Sequence, residues 1–344
     1  MYNKNFTPLS TLGEFGLINH LSKNIKIRHN SSIKGIGDDA AVIDCGKNYM
    51  VVTTDMLTEG IHFNLVYCPL KHLGYKSVIV NLSDIYAMNA IPRQILISIS
   101  ISSKFSLEHI EELYSGINLA CEKYNVDLVG GDTTSSLTGM TISITAIGEV
   151  AKDEVVYRSG AGINDLICVS GDLGAAYMGL QLLERERRLF EKEKIQEPDF
   201  GEYSYVLERQ LKPEARCDII DIFKKTNIKP TAMIDISDGL SSEISHICDD
   251  SNKGCMIYQE KIPIALETEK CAEEFNINAI TAALNGGEDY ELLFTLPLKD
   301  YEKVLLLPQI KIIGHITEPS EGKRLTLDSG EIIELTSEGW NALK

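Results

Sequence analysis

The sequence predicts a mixed α/β (α+β) protein of two domains. Its 344 residues exceed the ~100–200 of one typical domain. Strand-like and helix-like patterns alternate through both halves instead of separating into blocks. Residues 151–163 (AKDEVVYRSGAGI) turn polar and glycine-containing, so 1–150 reads as an N-terminal domain and 151–344 as a C-terminal one.

Tyr49–Thr54 (YMVVTT) is β-branched and reads as a strand ending at Asp55. Leu73, Val78, Ile79, Leu82, Ile85 and Tyr86 fall at helical spacing within His72–Met88, and Asn89–Pro92 ends that helix. In Gln94–Ser102 the alternation of Ile95, Ile97, Ile99 and Ile101 predicts a half-buried strand. A helix follows Ser106, with Ile110, Leu113, Tyr114, Ile117, Cys121 and Tyr124 on one side. Val126–Val129 and Thr141–Val150 read as strands, with a Gly-Gly-Asp turn after the former. The second half restarts with a strand at Leu166–Ser170, a turn at Gly171 and Gly174, and a helix to about Leu183. The mixed charge of residues 184–204 fits a solvated helix end and loop better than a partner-binding segment. Thr231–Ile236 is expected as a strand, Leu240–Cys248 as a helix, and Asp289–Leu296 as a strand after a Gly-Gly turn.

Composition narrows the function. Hydrophobic residues at 44% supply a core, while 33 basic residues against 50 acidic ones leave a formal charge of −17. Such a chain does not hold nucleic acid by neutralising phosphates, although divalent metals can stand between its carboxylates and a phosphate ligand. No apolar run reaches the ~18 residues of a membrane span, and the first residues lack a secretory pattern. Eight scattered cysteines without C-x-x-C spacing fit core thiols in a reducing compartment, so a cytoplasmic protein is expected.

Aspartate recurs in five short stretches: GIGDDAAV (35–42), TTDMLTEGIHF (53–63), NLSDIYAMNA (81–90), VGGDTTS (129–135) and IDISDGLSS (234–242). One aspartate at a strand end is a turn-former or cap, and Asp238-Gly239 alone fits that description. Five such residues, Asp39, Asp55, Asp84, Asp132 and Asp235, point instead to hard cations such as magnesium, which take oxygen ligands and share them with phosphates. Asp84 carries most weight because it interrupts an apolar helix pattern, where an unpaired charge is most costly. GIGDDA also fits the dinucleotide pattern, with Asp55 20 residues after Gly35. Its context fails: no apolar strand precedes it, and two strands rather than a helix follow. The lysine-bearing phosphate loop and the protein-kinase motifs are missing as well.

GIGDDAAV, TTDMLTEGIHF, NLSDIYAMNA, LVGGDTTSS, IDISDGLSSEISHI and GGEDYELLFT, in that order, resemble the thiamine-monophosphate kinases from about residue 13 to Trp340. That family is similar to aminoimidazole-ribonucleotide synthetase, selenophosphate synthetase and a hydrogenase maturation factor. The resemblance implies ATP-dependent phosphorylation of thiamine phosphate to thiamine diphosphate, the last step in making that cofactor. It also implies an aminoimidazole-ribonucleotide-synthetase-like fold whose N-terminal strands help form the barrel of a homodimer. Carried over, the magnesium ligands are Asp39, Thr53, Thr54, Asp55, Asp84, Asp132, Asp235 and Asp238. Nucleotide contacts fall on Gly131, Asp132, Arg158, Ser237 and Tyr114, and thiamine contacts on His62, Glu288 and Trp340. The first cysteine, Cys45, follows GIGDDA, and the chain ends WNALK, which argues against the synthetase and maturation-factor relatives. A non-catalytic magnesium-nucleotide sensor is the reading from a different class. The acceptor phosphate has a second pKa of ~6, so a phosphotransferase of this kind needs no general base.

Overall fold

The computed structural model describes residues 9–193 and 200–336. A first sheet is built from β1 (Ser32–Lys34), β2 (Ala41–Asp44), β3 (Asn48–Thr58), β4 (Ile91–Ile101), β5 (Asp127–Ser135) and β6 (Thr141–Ala151). Their order is β1-β2-β3-β6-β4-β5, antiparallel except for the β4–β5 pair. Helices α1 (Gly13–Ser22), α2 (Leu70–Ala87) and α3 (Leu107–Tyr124) accompany it. A second sheet contains β7 (Leu166–Ser170), β8 (Ala232–Asp235), β9 (Gly254–Tyr258), β10 (Leu292–Leu296), β11 (Ile310–Thr317), β12 (Lys323–Thr326) and β13 (Ile332–Glu334). Its order is β13-β12-β9-β11-β7-β10-β8, antiparallel except for β9–β12. Helices α4 (Ala175–Glu193), α5 (Ser204–Leu211), α6 (Cys217–Thr226), α7 (Leu240–Ser251), α8 (Leu266–Glu274), α9 (Ala279–Asn285) and α10 (Tyr301–Leu305) surround it. The expected mixed architecture is therefore present, with antiparallel pairing dominant. Among the described residues, no helix is long and apolar enough to cross a membrane.

Helix α2 organises the molecule. It packs on β3, β4 and β6 on one side and on β8 and α5 on another. Leu73, Val78, Ile79, Leu82 and Ile85 are all fully buried, as a helix between two layers requires. On the first sheet, Ile95, Ile97 and Ile99 of β4 and Ile142 and Ile144 of β6 face the core, while Leu96 stands exposed on the other side. This is the alternation that the isoleucine pattern predicted. One apolar cluster continues from these strands through α2 to Phe223, Leu292 and Phe294.

Three local expectations change. β3 does not end at Asp55: its ladder with β6 runs on to Thr58, with Asp55 opposite Ile144. Backbone pairing overrides the poor strand propensity of the carboxylate. Gly130, Gly131 and Asp132 form no turn but continue β5 alongside Leu96, Ile97 and Ser98. Helix α4 extends past Leu183 to Glu193. There Arg187 bridges Glu184 at 2.8 Å and Glu191 at 2.9 Å, spacings that support a solvated helix face.

Helices α2 and α3 meet where glycines remove side chains from both. A Cβ on Gly74 would lie 2.0 Å from the Leu113 carbonyl, and one on Gly116 would lie 1.8 Å from the Lys71 carbonyl. Gly116→Ala should therefore destabilise the protein by about 1–3 kcal/mol through overpacking. A fall in the thermal midpoint of the purified variant checks this; an unchanged midpoint would show that the crossing is slack.

Candidate functional site

Carboxylates from three elements meet where α2 passes between the sheets. Asp39 comes from the loop before β2, Asp84 from the last turn of α2, and Asp235 from the end of β8. One oxygen of each lies within 4.8 Å of the others. Asp55 projects from the inner side of β3, on the same face as the buried Thr53 and Leu57. Asp238 sits in the loop between β8 and α7.

Neutral hydroxyls hold two of these carboxylates, and an amide fixes the backbone of a third acid. Thr53 Oγ1 donates to Asp84 Oδ2 at 2.6 Å, and Ser83 Oγ donates to Asp235 Oδ2 at 2.6 Å. The Asp55 backbone N–H donates to Asn81 Oδ1 at 3.0 Å. Among the described residues only Asp39 of these acids is hydrogen-bonded to a cation: Arg158 Nη2 and Nε lie 2.7 and 3.1 Å from its Oδ1, while its buried Oδ2 has no partner among them. Neighbouring Asp38 accepts the Arg158 backbone N–H at 3.1 Å and pairs with Lys34 at 3.1 Å.

One guanidinium among four inward acids leaves the cluster negative. Burial first, and then the charge of Asp235, push Asp39 up to about 7 against the pull of Arg158. Burial and Asp39 push Asp55 up to about 6, and burial does the same to Asp235 despite the Ser83 hydroxyl. Asp84 rises well above the usual carboxylate range, through burial and then through Asp55, Asp235 and Asp39. Burial also brings Asp238 to about 6, with Glu14 adding to the shift. An all-oxygen donor set, an orphaned buried carboxylate oxygen and mutual repulsion together fit a hard divalent cation.

The expected residues divide into groups. Asp39, Thr53, Asp55, Asp84, Arg158, Asp235 and Asp238 stand at or beside the cluster. Thr54 points the other way; its side chain is exposed and its hydroxyl donates to the Ile144 carbonyl at 3.1 Å. Gly131, Asp132 and Tyr114 line a separate cleft of about 490 Å³ at the β5 edge. By register, Asp132 shares a row with Ser98, Ser143 and Met56 on the face turned away from α2. Thus the single chain does not bring Asp132 to Asp84. Ser237 lies in the loop after β8, where its carbonyl accepts the Glu288 N–H at 2.7 Å. His62 accepts the Thr58 N–H at its Nδ1, at 3.1 Å. Burial lowers the His62 pKa, with the nearby Glu288 charge opposing. Trp340 lies outside the described residues.

Sequence reasoning missed Asn81, Ser83, Lys76 and Gln210, all buried. The first three had a readable signal, since they are polar positions inside an otherwise apolar helix. Glu243 was also missed; it accepts the Asp238 N–H at 2.9 Å and fixes the loop that carries that acid.

Residues 37–150 match the family described as AIR synthase related protein, N-terminal domain. The first sheet with its helices α2 and α3 is thus a domain of the AIR-synthase-related class. Full-length relatives are more specific. The thiamine-monophosphate kinase of Aquifex aeolicus is 35% identical over 332 residues, which is 96% of this chain and 98% of that protein. That of Bacillus subtilis is 33% identical over 343 residues, covering 97% and 100%. A solved structure, "AaThiL complexed with AMPPCP and TMP", matches with a TM-score of 0.84 at 33% identity, over 98% of this chain and 99% of that one. The chain belongs to the thiamine-monophosphate kinase family.

The raised carboxylates have a consequence for stability. Between the ordinary value of 3.8 and their native values of about 6 to 7, the native state binds more protons than the unfolded chain. Stability in chelator should therefore fall as pH rises through that window. Thermal midpoints measured in EDTA from pH 5 to 7.5 should decline, and Asp84→Asn should raise the midpoint and flatten the decline. A midpoint that climbs with pH in both proteins would show that the cluster is not under electrostatic strain.

Proposed function

We propose that this chain transfers the terminal phosphoryl group of ATP directly and in line to thiamine phosphate, yielding thiamine diphosphate without a phospho-enzyme. The observation that carries the reading is the meeting of Asp39, Asp84 and Asp235 with a single guanidinium to offset them. Asp39, Asp84 and Asp235 would hold magnesium, with Asp55, Asp238 and the Thr53 hydroxyl beside them. Two unit charges of like sign at ~4 Å repel by ~4 kcal/mol at an effective dielectric of ~20. Bound magnesium supplies positive charge where donor and acceptor phosphates would otherwise repel. The acceptor is a phosphate monoester, mostly dianionic near neutral pH, so no side chain need remove a proton. Accordingly the aspartates bind and orient and do not act as acids or bases.

Arg158 brings a guanidinium fork to the cluster, suited to nucleotide phosphate, and Ser237 in the loop after β8 is the second nucleotide contact of this reading. Glu288 and His62 supply the thiamine end, where a carboxylate suits a thiazolium cation; Trp340 adds a stacking face in this reading. The division into 1–150 and 151–344 assigns Asp39, Asp55 and Asp84 to one domain and Asp235, Asp238 and Glu288 to the other. Eight free cysteines, six of them buried, suit a reducing cytoplasm.

A homodimer accounts for the uncovered face of the first sheet. Met56 is 59% and Leu96 37% exposed there, and β5 is an exposed edge nine residues long. A second copy closing this face would cover that edge. It would also set Gly131 and Asp132 against the other copy instead of open solvent. Met56→Asp should shift the sedimentation coefficient from dimer to monomer, whereas a wild-type protein that sediments as a monomer removes the proposal.

Phosphorus NMR of ATP, magnesium and thiamine phosphate with the purified protein should show thiamine diphosphate and ADP appearing together. ADP without thiamine diphosphate, or no turnover at all, would leave a nucleotide-binding protein instead. Asp84→Asn should cut turnover by ~10³-fold or more, as loss of a central electrostatic group does, while the fold persists. Parallel loss of folding and activity would make Asp84 structural.

A further inference from the structure

Lys76 is 4% exposed in the middle of α2, deep enough that its charge requires a partner. Its Nζ lies 2.9 Å from Glu288 Oε1 and donates to the Gln210 carbonyl at 3.0 Å. Gln210 Nε2 in turn donates to Glu288 Oε2 at 2.7 Å. Both oxygens of Glu288 are therefore held from outside its own loop, one by α2 and the other by α5.

The loop is a poor anchor by itself. Gly287, Glu288 and Tyr290 adopt φ of 70°, 59° and 51°, left-handed values that are uncommon for a glutamate or a tyrosine. Backbone bonds from Glu288 N–H to the Ser237 carbonyl, at 2.7 Å, and from Tyr290 N–H to the Ile236 carbonyl, at 2.9 Å, fix its path. These bonds do not set the direction of the carboxylate. That is done by the buried ammonium, which supplies the charge, together with the Gln210 amide.

Lys76 also shares a helical face with Ser83, seven residues on and ~10 Å along the axis. Ser83 holds Asp235. One face of α2 thus grips the second sheet's side of the seam at two points, one at the Glu288 carboxylate and one at the acid cluster.

We infer that Lys76 is a positioning residue: by fixing Glu288 it presents a preoriented carboxylate to the cationic half of thiamine phosphate, at a set distance from the acid cluster. This rests on the reading of Glu288 as a thiamine contact. A side chain already locked in its binding orientation loses no rotamer freedom when substrate arrives.

Steady-state kinetics of Lys76→Met, Glu288→Gln and the double variant test the inference, with thermal melts confirming that each is folded. Lys76→Met should raise KM for thiamine phosphate roughly tenfold, the size of one charge-assisted contact, and leave KM for ATP within about twofold. In the Glu288→Gln background it should add less than about twofold more, because its target is gone. Gln210→Met, which leaves the ammonium in place, should give a smaller rise of the same selectivity; it also serves if Lys76→Met does not fold. Equal effects of Lys76→Met in both backgrounds would mean that the ammonium touches substrate itself and would overturn the inference. So would a rise in both KM values alike, or a loss of melting temperature with unchanged KM. If Glu288→Gln leaves KM for thiamine phosphate untouched, the Glu288 reading fails, and the inference with it. If Glu288→Gln raises that KM but Lys76→Met does not, only the inference fails.

Discussion

Mutual repulsion among Asp39, Asp55, Asp84 and Asp235 is the constraint around which the rest of the site is arranged. The group is buried or half-buried, its hydrogen-bond donors are mostly neutral, and Arg158 reaches only Asp39. A protein selected for stability alone would replace such a cluster with apolar residues or pair each acid. Its persistence makes sense if a cation completes it. In the proposed reaction the cluster is one half of an electrostatic unit, and a divalent cation would be the other half.

Helix α2 makes that arrangement possible. Because most of the helix is enclosed, its buried polar positions cannot turn toward water, and several of them bond to neighbouring elements. Asn81 holds β3, Ser83 holds the end of β8, and Lys76 holds α5 and the Glu288 loop. Core packing and the placement of the acids are consequently not separable in this helix. The same residues that satisfy its buried polarity also determine where the acids point.

The strands and helices that frame the site were legible because their patterns are strong: alternating isoleucines in β4, helical spacing in α2 and α3, and the bare apolar run of β7. The convergence of Asp39, Asp84 and Asp235 was also legible, since aspartates recurring at strand ends and inside an apolar helix pattern are hard to explain one by one as caps or turn-formers. Other features depend on partners distant in sequence. Nothing around Asp55 announces that β6 pairs with it, and Gly130-Gly131 looks like a turn until β4 is placed beside it. Thr53 and Thr54 are adjacent and alike, yet strand alternation gives only the first of them access to Asp84. Gln210 carries no local sign of its role because its contact lies 78 residues away at Glu288.

The apolar cluster that runs from the first sheet through α2 to Phe223, Leu292 and Phe294 has a thermodynamic implication. A cooperative folding unit is bounded by its core, not by its sheets. Because this cluster is shared, removing either half would strip apolar contacts from the other, and neither is expected to be a stable fragment when excised. Loosening the glycine crossing of α2 and α3 would then be felt across the seam, in the loops that carry Asp238 and Glu288.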